Sequence, residues 1–163
     1  PGLYMQEIET VDAYFGDSIR LLGYVLRDRE GAVVDRARVV PGGKVRLSLY
    51  WQASSSIDQD YVVFVHLLDE TGWVRGQQDN QPRQGTLPTS AWSAGDVIVD
   101  FYRVPVAADA PPGSYVIELG LYRPADVIRL PTGGADVDVE GRRVLIDDRV
   151  WVKGDDPNGA TDQ

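Results

Sequence analysis

A chain of 163 residues is long enough for one domain that buries roughly 70% of the surface its unfolded form exposes. With no cysteine and a single histidine, His66, it excludes a disulfide framework, thiolate metal sites and the common histidine-based zinc and catalytic arrangements. Its 25 acidic against 16 basic residues give a net charge of -9, which opposes nucleic acid or an anionic lipid surface as partner.

Apolar residues alternate with period two nearly throughout, and no long stretch keeps helical spacing. No apolar run approaches the roughly 20 residues of a membrane helix. Pro1 is not an initiator methionine and no signal peptide precedes it, so the chain reads as a processed or excised fragment. Residues 1–14 are expected to lie on the surface or to add an edge strand. Strands are then predicted at 19–27, 33–39 and 44–52. In the last of these Val45, Leu47, Leu49 and Trp51 share one face and Arg46, Ser48, Tyr50 and Gln52 the other. The run 61–68 is apolar on both faces and belongs in the middle of a sheet. Further strands are predicted at 73–79, 97–104, 114–122 and 143–152.

Turn signals separate these runs: Arg29-Glu30-Gly31, Pro41-Gly42-Gly43, Asp69 to Gly72, Ser93 to Asp96 and Pro111-Pro112-Gly113. Short strands at such spacing, with no helices between them, predict an all-β fold of two packed antiparallel sheets, immunoglobulin-like or, alternatively, a jelly roll. Gly113-Ser114-Tyr115-Val116-Ile117 favours the immunoglobulin-like form. Tyr115 stands where a tyrosine corner returns its hydroxyl to the backbone, with Ile117 in the place of a cysteine. The sandwich is expected over 15–153, with Leu21, Leu47, Leu49, Trp51, Val63, Val65, Ile117, Leu119 and Leu121 inside. The long connection 80–96 is expected to hold one helical turn, Thr89 to Trp92, capped by a hydroxyl. The acidic tail, 154–163, reads as a flexible linker.

Candidate chemistry is sparse. No Gly-x-Ser-x-Gly elbow accompanies His66, which reads as a hydrogen-bonded polar residue on a sheet face. Asp96, Asp100 and Glu118, the strand-associated carboxylates, read as turn or outward-facing residues rather than a glycosidase pair. No catalysis by the isolated domain is expected. In Gly133 to Gly141, an extended strand would point Asp136, Asp138 and Glu140 the same way, which suits calcium; a charged edge strand paired with Arg142 and Arg143 has the same pattern. No other cofactor is implied. Trp73, Gln77, Asp79, Gln81, Arg83 and Trp92 combine rings with amide and charged groups, as sugar sites do. The competing reading has Trp92 plugging one end of the sandwich while the polar groups tie down the loop.

Several segments together resemble a β-sandwich domain at the extracytoplasmic end of multi-pass bacterial membrane proteins related to lipid-phosphate-sugar-dependent glycosyltransferases. The resemblance is carried by Phe15-Gly16-Asp17, Leu49-Tyr50-Trp51-Gln52-Ala53, Tyr61 to Asp69, Pro88-Thr89-Ser90 with Trp92, Gly95-Asp96, Pro112 to Tyr115 and Gly120-Leu121-Tyr122. It implies a non-catalytic accessory or interaction domain, membrane-associated or secreted, that holds a glycan or a protein at the cell surface without entering the bilayer. It supplies no catalytic residues. The alternative is a structural building block of a surface layer or filament that self-associates through edge strands.

Overall fold

The computed structural model describes residues 7–154. In chain order the strands are β1 (Glu9–Phe15), β2 (Ile19–Arg27), the short β3 (Val33–Val34) and β4 (Ala37–Val39), then β5 (Lys44–Ala53), β6 (Val62–Leu68) and β7 (Val74–Asn80). They continue with β8 (Val97–Pro105), β9 (Gly113–Tyr122), the two-residue β10 (Thr132–Gly133) and β11 (Val144–Val152). One sheet runs β10-β1-β2-β5-β8, with β3 also on β2; the other runs β4-β11-β9-β6-β7. Their pairings are antiparallel except that of β4 with β11.

The period-two faces found in the sequence meet between the sheets, because a strand puts alternate side chains on opposite sides. All nine residues expected inside are buried. Trp51 has no solvent exposure and meets Phe15 edge-on, with ring centroids 5.6 Å apart. Adjacency of β11, β9 and β6 with β7 beyond them, facing β2-β5-β8, is the arrangement of an immunoglobulin-like sandwich. Tyr115, near the start of β9, donates its hydroxyl to the carbonyl of Pro111 at 2.6 Å, the tyrosine corner. Ile117 is fully buried, so packing supplies the link between sheets where a disulfide could stand.

Two local expectations change, and the N-terminal segment takes the strand form, one of its two expected readings. The strand expected over 33–39 is two: Val33–Val34 pair with β2 and Ala37–Val39 with β11, so the chain changes sheets between them. Period two cannot reveal this, since both halves keep the same alternation. The N-terminal segment contributes β1 from Glu9 onward. The turn at Thr89–Ala91 forms as a 3-10 turn without a side-chain cap, because the Thr89 hydroxyl is spent across the loop: it donates to the Gln59 carbonyl and accepts from the Tyr61 amide. The flexible tail expected over 154–163 lies outside the described residues except for Gly154.

The sheets close on each other along one side. Gly76 of β7 lies so close to the Pro105 carbonyl that a Cβ there would come within 2.2 Å of it, and the Ala107 amide donates to the Arg75 carbonyl. The edges of β7 and β8 therefore face one another rather than solvent. The opposite edges are formed by β10 and β4, of two and three residues.

Candidate functional site

The six residues considered for a sugar site do not converge. Trp73 projects from the β6–β7 turn, 69% exposed, on a loop braced by Asp69. One oxygen of that carboxylate accepts from the Thr71 and Trp73 amides and the Thr71 hydroxyl, and the other from Arg75. The Thr71 hydroxyl and the Arg75 guanidinium hold Asp69 well below the usual carboxylate range. Gln81 and Trp92 stand toward the far end of β7, about 25 Å away at strand rise. Trp92 is 3% exposed and donates its indole N–H to the Leu87 carbonyl, so it plugs that end. Gln77 is exposed opposite His66, Asp79 turns to His66 and Tyr122, and Arg83 lies 5.9 Å from the Phe101 ring.

Asp79 belongs to a network on the outer face of the five-stranded sheet. Cross-strand register sets His66 of β6 opposite Glu118 of β9, and Phe64 opposite both Asp79 and Gly120. His66 Nδ1 lies 2.8 Å from Glu118, and Nε2 is 3.3 Å from Asp79 in an ion-pair contact out of line for a hydrogen bond. Arg143 reaches Glu118 at 2.6 Å and Asp138 at 2.8 Å, while Arg129 lies 3.3 Å from Glu118 and 4.2 Å over the Phe64 ring. Gly120 makes room for that ring, which a Cβ would meet at 2.7 Å.

Burial favours neutral His66, but its contacts with Asp79 and Glu118 outweigh this and raise its pKa to about 9. Burial likewise opposes ionisation of Glu118, and the bonds from His66 and Arg143 overcome it and pull its pKa down to about 2. At neutral pH the cluster is thus an imidazolium and two guanidiniums around carboxylates. An imidazolium already carrying its proton is not poised as a general base.

The carboxylates considered for chemistry are likewise occupied. Asp96 accepts from the Ser93 amide in an exposed turn. Asp100 does not face outward: it points between the sheets, fully buried, where it accepts from the Tyr102 hydroxyl and the Arg83 amide and so anchors the 3-10 turn Pro82–Gly85. Burial raises its pKa against those two bonds. The run Gly133 to Gly141 is not an extended strand beyond Gly133, so Asp136, Asp138 and Glu140 do not share a face. Asp136 accepts from the Asp12 amide, Asp138 pairs with Arg143, and Glu140 is exposed. Among the described residues no group of three potential ligands comes together for a metal ion.

The outer face of the other sheet differs. Register places Arg46 of β5 directly opposite Arg27 of β2 on one side and Arg103 of β8 on the other, and in the next row Ser48 opposite Phe101. The turn 28–32 overhangs this face and leaves a groove of about 510 Å³, walled by the three arginines together with Arg29 and Glu30 of that turn, and floored by Ser48, Tyr50, Val99 and Phe101. Phe101 is 55% exposed. A second depression, of about 360 Å³, shares Arg27 and Arg46 and adds Arg38 and Lys44. Arg83 extends the cationic rim past Phe101. The outward parity of Arg46, Ser48 and Tyr50 is visible in the sequence. Their meeting with Arg27, Arg103 and Phe101 depends on pairing register, which is not.

Among solved structures the C-terminal domain of wzt is similar: TM-score 0.59, 11% identity, covering 91% of this chain and 82% of that one. At that identity the likeness shows the fold, a β-sandwich. A Niemann-Pick type C2 protein from the Japanese carpenter ant overlaps with TM-score 0.48 and 9% identity, over 90% of this chain and 98% of that one. In sequence the chain matches no family model and no curated protein.

Proposed function

We propose that this chain is a non-catalytic binding module for a glycan, working outside the cytoplasmic membrane as an accessory to a membrane-bound sugar-transfer system. The observation that carries the ligand reading is the groove on the outer face of the six-stranded sheet, where Tyr50 and Phe101 lie beside Ser48 and a row of guanidiniums. Aromatic faces stack on the apolar faces of sugars, and hydroxyl and guanidinium groups take the sugar oxygens. A shallow groove over a rigid sheet suits an extended chain of sugars. The accessory role and the location rest on the sequence resemblance, and the full-length coding sequence tests them. Several apolar runs of about 20 residues beside this domain support the membrane system, and a lone secretion signal counts against it.

The ligand reading is tested by titrating the protein with a panel of bacterial oligosaccharides. Tyr50→Ala and Phe101→Ala should each weaken binding about tenfold, while Trp73→Ala, at the β6–β7 turn outside the groove, leaves it unchanged. Loss with Trp73→Ala alone would move the site to the β6–β7 turn. A building block joined through sheet edges is the competing reading, and the edges weigh against it: β7 faces β8, and β4 and β10 are too short to template a long pairing.

A further inference from the structure

The geometry points to an acidic glycan as the ligand of this groove, one whose anionic groups are spaced along the chain so that several engage the Arg27–Arg46–Arg103 row at once. This deepens the glycan reading and rests on it. Like charges directly opposite on neighbouring strands destabilise a sheet, yet three arginines stand side by side across β2, β5 and β8. Strands lie about 4.8 Å apart, so the three stems spread over about 10 Å. None of the three has an ion-pair partner among the described residues; Arg27 reaches only the Ser48 hydroxyl, at 3.4 Å. Six other arginines, Arg36, Arg75, Arg123, Arg129, Arg143 and Arg149, each meet a carboxylate, while Arg20 and Arg83 lie over rings and Arg142 donates to a carbonyl; what sets the row apart is that its three guanidiniums stand side by side.

The concentration is local. Arg38 and Lys44 line the adjoining depression, so the positive face is built within a chain of net charge -9. Two acids stand near: Glu30 lines the groove from the overhanging turn without an ion pair to any of the three arginines, and Asp28, in the adjoining depression, is engaged by its own turn, accepting from the Glu30 and Ala32 amides. Guanidinium forks bind carboxylate and phosphate oxygens in bidentate fashion. A flat acidic protein surface would not need an aromatic floor, and an anionic membrane would be repelled by the rest of the molecule. An acidic sugar chain uses both the rings and the charges.

The test compares, on the full chain, oligogalacturonate, a phosphodiester-linked oligosaccharide, a neutral oligosaccharide of the same length, inorganic phosphate, polyglutamate and phosphatidylglycerol vesicles. The first or second should bind at least about tenfold more tightly than the neutral sugar, lose about tenfold with Arg46→Gln or Arg103→Gln, and weaken as salt rises from about 50 to about 500 mM. Which of the two binds identifies the anionic group. Arg123→Gln, remote from the groove, should leave binding unchanged, and a cooperative melt of each variant shows that it is folded. Neutral sugar bound equally well, insensitive to Arg46→Gln, would overturn the acidic ligand and leave the glycan reading standing. Polyglutamate or vesicles bound in preference to every oligosaccharide, phosphate alone matching the phosphodiester sugar, or no binding at all, would overturn both.

Discussion

On the outer face of the five-stranded sheet the charged side chains of the central rows are matched: His66, Arg129 and Arg143 converge on Glu118, with Asp79 and Asp138 taking up what remains. On the outer face of the six-stranded sheet Arg27, Arg46 and Arg103 stand in a row, and none of the three is ion-paired among the described residues. Both faces look alike in a list of residues, since each mixes charges with aromatic rings. The difference is satisfaction. A matched network holds parts of the fold together, here the loop 123–143 against β9 and β6. A row of like charges beside an open groove leaves its bonding capacity for something outside the chain.

If that contrast is right, mutations on the two faces move stability in opposite directions. The largest effect is expected from Glu118→Ala, which leaves three cations around a buried gap and should cost about 3 kcal/mol in urea denaturation. Next comes the pH dependence through His66. Its pKa is raised from 6.5 to about 9, so its contribution is complete below about pH 6.5 and is lost as pH rises through about 9. The chain should lose stability over that window. His66→Gln should flatten the profile there and cost about 2 kcal/mol near pH 6. Glu118, lowered from 4.5 to about 2, works the other way: its contribution is present above about pH 4.5 and is lost as pH falls through about 2.

A smaller loss, about 1 kcal/mol, is expected for Tyr115→Phe, which removes the hydroxyl that reaches the Pro111 carbonyl and leaves the fold intact. An unchanged denaturation midpoint would make Tyr115 an ordinary strand residue. The smallest effect has the opposite sign. Arg46→Gln relieves two like-charge pairs and should stabilise the protein by a few tenths of a kcal/mol. A clear loss of stability in that variant would mean that the arginine row is structural after all.

Much of the fold was legible because burial imposes period two. Leu47, Leu49 and Trp51 announce an inward face, and Gly113 with Tyr115 announces a corner, from local sequence alone. The same signal is blind to which sheet a short run joins, as at 33–39, and to whether a charged residue at an inward position is tolerated, as for Asp100, whose partners Tyr102 and the Arg83 amide come together only when the loop folds back. The site was least legible. Aromatic residues close in sequence, Trp73 and Trp92, suggested a cluster, but β7 carries them apart and one of them is buried. Arg27, Arg46 and Arg103 are separated by long stretches of chain and become neighbours through strand register. The three acidic residues of 136–140 suggested a shared face only if the segment were extended, and its turns send Asp136 to β1 and Asp138 to Arg143.

The central claim, that the open groove and not the matched network is the binding surface, is tested most directly by mapping amide chemical shifts in an NMR titration with the tightest-binding acidic oligosaccharide. The shifts should cluster at Arg27, Arg46, Ser48, Tyr50, Phe101 and Arg103, with His66, Gln77 and Glu118 unmoved. Shifts centred on His66 and Gln77, with the arginine row silent, would contradict the account.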